Sequence, residues 1–190
     1  MNERCEQRPT RVRYADDLVI LARPGQGAGL PARLKRWLDA RGLVLNEEKT
    51  RRVDSREETF CFLGFAVSWR QGTRSRRWYP HVEPSAKSQQ KLRDKVRAVL
   101  NVRTRNEPAV AVVRQVNRLT RGWANAFHYA NSTRVFGKLQ RFTRDGLRRW
   151  LWRKYSRTHG LFEFFTDERL HGQYKLWAWP LQAAYRQAKG

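Results

Sequence analysis

Thr10-Arg-Val-Arg-Tyr-Ala-Asp-Asp-Leu-Val-Ile-Leu21 holds two short β-prone runs, 10–15 and 18–22, parted by Asp16-Asp17. Two such runs with a polar pair between them predict a β-hairpin. The breaker cluster Pro24-Gly-Gln-Gly-Ala-Gly29 follows. No Lys-Ser or Lys-Thr comes after it, so it reads as a loop and not as a phosphate cradle. Leu30, Leu34, Trp37 and Leu38 are then spaced as on one helix face, with Gly42 placed to end the helix. Leu43-Val-Leu45 and the run 60–69 read as strands. A Gly-containing basic turn, Arg70-Gln-Gly-Thr-Arg-Ser-Arg-Arg77, leads to a further short strand at Trp78-Tyr79.

Beyond Pro84 the apolar period lengthens from two to 3.6. A helix over 85–101 turns Leu92, Val96, Val99 and Leu100 inward and sets Lys87, Lys91 and Lys95 on another face. Asn106-Glu-Pro108 opens a second helix carrying Val112, Val113, Val116, Leu119 and Trp123. Asn131-Ser-Thr133 offers a cap for a third. Its stripe is Val135, Phe136, Leu139, Phe142, Leu147, Trp150 and Leu151, with Arg134, Lys138, Arg141, Arg144, Arg148 and Arg149 largely off it. The expected class is α+β: a hairpin, a helix and short antiparallel strands, followed by a basic three-helix bundle. The expected division is 1–82, 83–158 and a C-terminal tail, 159–190, whose aromatic sequence assigns it no place.

Charge points to the partner. The chain has 190 residues with 40 Lys+Arg against 17 Asp+Glu, a formal net charge of +23. Residues 1–67 carry 13 basic and 10 acidic side chains, while residues 68–190 carry 27 and 7. Positive charge concentrated in one folded region is the footprint of a polyanion, nucleic acid first. An anionic membrane surface fits less well, because the aromatic residues recur at core-like spacing. No apolar run approaches the roughly 20 residues of a membrane span, and the N-terminus lacks a signal-peptide pattern. Cys5 and Cys61 form no CxxC, and His81, His128, His159 and His171 are scattered. That spacing argues against a zinc site and a disulfide framework and for reduced thiols, hence a cytoplasmic location.

Asp16 and Asp17 are the sharpest chemical feature. Adjacent carboxylates in a tight turn converge on one point, where oxygen ligands suit Mg²⁺. Turn chemistry and solvation are the commoner reasons for such a pair. Tyr14-Ala-Asp-Asp17 in a hairpin resembles the YxDD signature of reverse transcriptases. Gly42-Leu-Val-Leu-Asn-Glu-Glu-Lys-Thr50 resembles the segment that follows in the group II intron branch of that family. Phe62-Leu-Gly-Phe65 resembles its next motif, a strand turn near the primer terminus. Pro84-Ser-Ala-Lys-Ser88 and Asn117-Arg-Leu-Thr-Arg-Gly-Trp123 resemble its thumb, the maturase-specific region. Five motifs stand in the family's order between about residue 10 and about residue 155.

The resemblance implies that Asp16 and Asp17 are palm carboxylates of a two-Mg²⁺ polymerase centre, Asp16 as principal ligand and Asp17 in support. It implies nucleotide or primer contacts for Tyr14, Lys49, Leu63, Gly64 and Phe65. Lys49 equally reads as an exposed flanking lysine, Leu63-Gly-Phe65 as a bend in a strand, and Trp123 as core. Phosphate contacts fall to Lys87, Lys91, Lys95, Arg97, Arg141, Arg144, Arg148 and Arg149. The family also uses an earlier palm Asp and fingers, so the expectation is a C-terminal fragment, half a palm plus a thumb, that is inactive alone or completed by a second polypeptide. Such a fragment should also expose apolar surface where further palm strands would pack. The implied partners are structured intron RNA and an RNA template with a DNA primer, and the implied activity is RNA-directed DNA synthesis with intron splicing. A stand-alone RNA-binding module and an inactive remnant are the alternatives.

Overall fold

The computed structural model describes residues 9–23, 25–73, 75–155 and 160–180; Cys5, Pro24, Arg74, His159 and the stretch 181–190 lie outside the described residues. The chain divides after Glu58 into two compact units, which groups the residues from 59 onward with the helices.

In the first unit the expected hairpin forms. Strand β1 (Thr10–Tyr14) pairs antiparallel with β2 (Asp17–Leu21), Tyr14 opposite Asp17. Ala15 and Asp16 are the two turn residues, and Ala15 takes φ +49°. Positive φ at the first turn position alone is the type II′ pattern, for which glycine is the usual choice. Helix α1 (Leu30–Asp39) has a proline in its first turn. Gly42, at φ +67°, lets the chain reverse so that the Leu43 N–H donates to the Leu38 carbonyl at 3.0 Å. Lys35 reaches Glu47 at 2.6 Å, and that hydrogen bond and charge hold the ammonium above its ordinary pKa.

Leu43-Val-Leu45 is not a strand. No strand lies beside it among the described residues, and without a ladder its backbone gains nothing from extension; Val44 is 92% exposed. The next residues close instead into a turn capped by Asn46, whose side-chain oxygen accepts from the Lys49 N–H at 3.0 Å. No described residue of this unit is buried, and Val12, Tyr14, Leu18, Leu21 and Trp37 stay exposed.

The second unit opens with a three-stranded antiparallel sheet, β3 (Phe60–Phe62), β4 (Phe65–Gln71) and β5 (Trp78–Pro84), in the order β3-β4-β5. The run expected as one strand over 60–69 is therefore two, folded back at Leu63-Gly64. Strand β5 also runs five residues past Tyr79, to Pro84. Helices α2 (Ala86–Val99), α3 (Ala109–Ala126) and α4 (Thr133–Tyr155) follow. Asn131 ties the α3–α4 connection to the sheet. Its N–H donates to the Val82 carbonyl and its side-chain oxygen accepts from the Val82 N–H, a side chain standing in for a strand neighbour.

The expected third cap works differently from a simple N-cap: the Ser132 hydroxyl donates back to the Phe127 carbonyl at 2.7 Å. Two short helices, α5 (Leu161–Phe164) and α6 (Asp167–Gly172), begin the C-terminal segment. That segment, which had no assigned place, completes the core. Phe165, Leu170, Tyr174 and Leu176 pack with Val112, Val113 and Val116 of α3 and with Leu147, Trp150 and Leu151 of α4. Trp179 joins Leu92, Val96, Ala124, Phe136 and Leu139 in a second cluster.

Candidate nucleic-acid interface

The thumb-like motifs turn out to hold the scaffold together. Asn117 donates its side-chain amide to the Lys175 carbonyl at 2.7 Å and accepts from the Trp177 N–H at 2.8 Å, clamping the C-terminal segment to α3. The Thr120 hydroxyl folds back onto the Val116 carbonyl. Trp123 packs among the rings of Phe127, Phe136 and Trp179, with centroids 4.5, 6.3 and 6.1 Å away, half-buried against the core.

The tip Leu63-Gly64 has positive φ at both residues, +51° and +83°, the demand of a type I′ hairpin turn. It is seated on the start of α2. The Gly64 carbonyl accepts from the Ser85 N–H at 2.8 Å and from the Ser88 hydroxyl at 3.0 Å. Phe65 meets Phe127 edge-on at 4.7 Å. A methyl group on Gly64 would lie 2.7 Å from the Ser88 Oγ. Gly64→Ala is therefore expected to destabilise this unit by about 2 kcal/mol, through backbone strain and a lost hydroxyl hydrogen bond. Leu63→Asn should stabilise it by about 0.5–1 kcal/mol, since Asn tolerates this conformation. Denaturant unfolding of the two variants reads both signs.

Around this scaffold the basic side chains sort into free and engaged. Lys87, Lys91 and Lys95 are all exposed along α2, four residues and about 6 Å apart. Arg97 is exposed and pairs with Asp94 at 2.9 Å. Arg141 and Arg149 on α4 are exposed. Arg148 is not: it is 6% exposed, donates to the Phe165 carbonyl at 2.8 Å, and pairs with Asp145 and Asp167. Arg144 likewise turns to Asp167. Both were expected to contact phosphate, and both instead fasten the C-terminal segment to α4, because their turn of the helix faces Asp167. Sequence reasoning missed a further row, Arg114, Arg118 and Arg121, exposed on α3. Its spacing of four and three was legible as one helix face.

In the first unit Asp16 and Asp17 are exposed, Asp16 in the turn and Asp17 at the head of β2. Tyr14 is 64% exposed, and Lys49 is exposed on the Asn46-capped turn. Among the described residues no three His, Cys, Asp or Glu side chains gather where a metal ion could be held. Asp16 and Asp17 present two solvent-open carboxylates, the donor type that holds Mg²⁺ together with waters and substrate phosphates. No helix among the described residues is long and apolar enough to cross a membrane.

The family model described as group II intron, maturase-specific domain, matches residues 89–166, a span that runs from α2 through α4 into the C-terminal segment. No curated protein matches the chain.

Proposed function

We propose that this chain, a group II intron maturase by the domain it carries over residues 89–166, grips intron RNA through the exposed cations of its helical unit. The domain implies a role in intron splicing and in RNA binding. The residue-level reading rests on one observation: Lys87, Lys91 and Lys95 stand free along α2 while Arg144 and Arg148 are consumed internally. A-form RNA is recognised mostly by shape and backbone, which suits a rigid row of cations on a packed helix better than a flexible basic tail.

A second reading, RNA-directed DNA synthesis, is favoured by the placement of Tyr14-Ala-Asp-Asp17 on a two-residue hairpin turn with both carboxylates open to solvent. It requires Mg²⁺ and a further ligand from beyond the described residues, supplied by another polypeptide. An RNA template with a DNA primer would be its substrate. Primer extension on an RNA template, with Asp16→Asn beside the parent chain, tests it. The expected result is extension by the parent once a maturase polypeptide inactivated at its own YxDD aspartates is added, none by the variant under the same conditions, and equal RNA affinity. Extension that survives in the variant, or is missing in the parent even when that inactivated polypeptide is added, removes this reading and leaves RNA binding standing.

A further inference from the structure

Between α2, the turn Arg103–Asn106 and α4 lies a groove of about 300 Å³. Its apolar lining is the half-buried Leu100 and Phe142, backed by the buried Val96 and Trp150. Its rim is Arg97, Arg105, Arg149 and Arg153, and no acidic residue lines it. Helix α4 carries Gly146 at this point, and a methyl group there would come within 3.3 Å of a Leu100 methyl. Glycine inside a helix costs about 1 kcal/mol relative to alanine. Here it lets Leu100 of the α2 end pack directly against α4 and form part of the groove lining. The Arg105 Nε is buried with no hydrogen-bond partner among the described residues, although burying a polar group unpaired is unfavourable. The Arg97 guanidinium carbon lies 5.2 Å from the centroid of the Phe142 ring, within cation–π range.

From these features we infer that the groove receives one unpaired RNA nucleotide, its base against Leu100 and Phe142 and its flanking phosphates on Arg105, Arg149 and Arg153. A duplex cannot enter a space of this size, whereas a base turned out of a bulge or loop can. Arg105, Arg149 and Arg153, in a lining without an acidic residue, match the phosphates on either side of such a base, while Arg97 is already paired with Asp94. Stacking a base on an aromatic or guanidinium surface contributes about 1–3 kcal/mol. The groove thus distinguishes an irregular RNA from a continuous helix, a distinction the free lysines of α2 cannot make. The inference rests on the RNA-binding reading above and specifies what part of the RNA is read.

Two RNA hairpins with equal numbers of phosphates test it, one fully paired in its stem and one with a single unpaired adenosine. The parent chain is expected to bind the bulged hairpin about tenfold more tightly. Gly146→Val, which displaces Leu100 from the lining, should abolish that preference while still binding the paired hairpin. Arg149→Ala with Arg153→Ala, both at exposed helical positions, should reduce the preference in a protein whose core is untouched. Equal binding of the two hairpins by the parent overturns the inference and leaves RNA binding intact. So does a preference that persists in the arginine variant. Competition by polyglutamate as effective as by the bulged RNA would also overturn it, by making the groove an acidic-peptide site. Binding of neither RNA would overturn the RNA-binding reading itself.

Discussion

Arg148→Ala should lower the unfolding free energy by about 2–3 kcal/mol without changing RNA affinity per folded molecule, while Arg149→Ala should do the reverse. Arg148 is 6% exposed and its Nε supplies the hydrogen bond to the Phe165 carbonyl. Truncation leaves that carbonyl unpaired and removes the partner of Asp145 and Asp167. The loss stops short of the largest buried-pair values because the Asp167 side chain is 41% exposed and water can take it back. Urea unfolding followed by tryptophan fluorescence reads the effect, since Trp150 and Trp179 lie in the core that the C-terminal segment completes. Arg149, on the next position of the same helix, is exposed and lines the groove. Its removal should leave stability within about 0.5 kcal/mol and weaken RNA binding. Equal stability of the two variants would mean that Arg148 does not fasten the segment.

Lys91→Glu with Lys95→Glu should weaken binding to structured RNA about ten- to a hundredfold at low salt, and lower the slope of log affinity against log salt by about two. Both side chains are exposed on α2, whose buried residues are Leu92 and Val96, so folding should be unaffected. The salt slope is the decisive readout, because it counts phosphates neutralised and does not respond to a modest loss of stability. A slope and affinity equal to the parent's would show that the α2 row faces solvent in the complex, and would move the interface to the Arg114, Arg118 and Arg121 row on α3. A variant with weaker binding but an unchanged slope would point to a local distortion and not to lost phosphate contacts.

Local patterning was legible wherever a few consecutive residues settle their own geometry. The period-two runs flanking Asp16 predicted the hairpin, and the 3.6-residue spacing of Leu92, Val96, Val112, Val116, Leu139 and Leu147 predicted three helices with those residues inside. The concentration of cations after residue 67 pointed to a polyanion without any structure. Leu43-Val-Leu45 shows where patterning stops: its letters suit a strand, but a strand needs a partner, and partners are not written in the strand itself. Phe60 to Trp69 shows the complementary limit, since its letters read as a strand with a bend at Leu63-Gly-Phe65, while the full reversal at Leu63-Gly64 is received by Ser85 and Ser88.

By itself, then, the sequence determined the three long helices with their core stripes, the polyanionic class of partner and the hairpin that displays Asp16 and Asp17. Only the tertiary structure decided which cations are free, because Arg148 and Arg149 are neighbours of the same type and differ only in what stands opposite them. The C-terminal segment supplies that difference by placing Asp167 and the Phe165 carbonyl beside one arginine and leaving the other in solvent. The physical reason is that a charged side chain is spent or available according to the groups packed around it, and those groups come from 17 to 19 residues away along the chain.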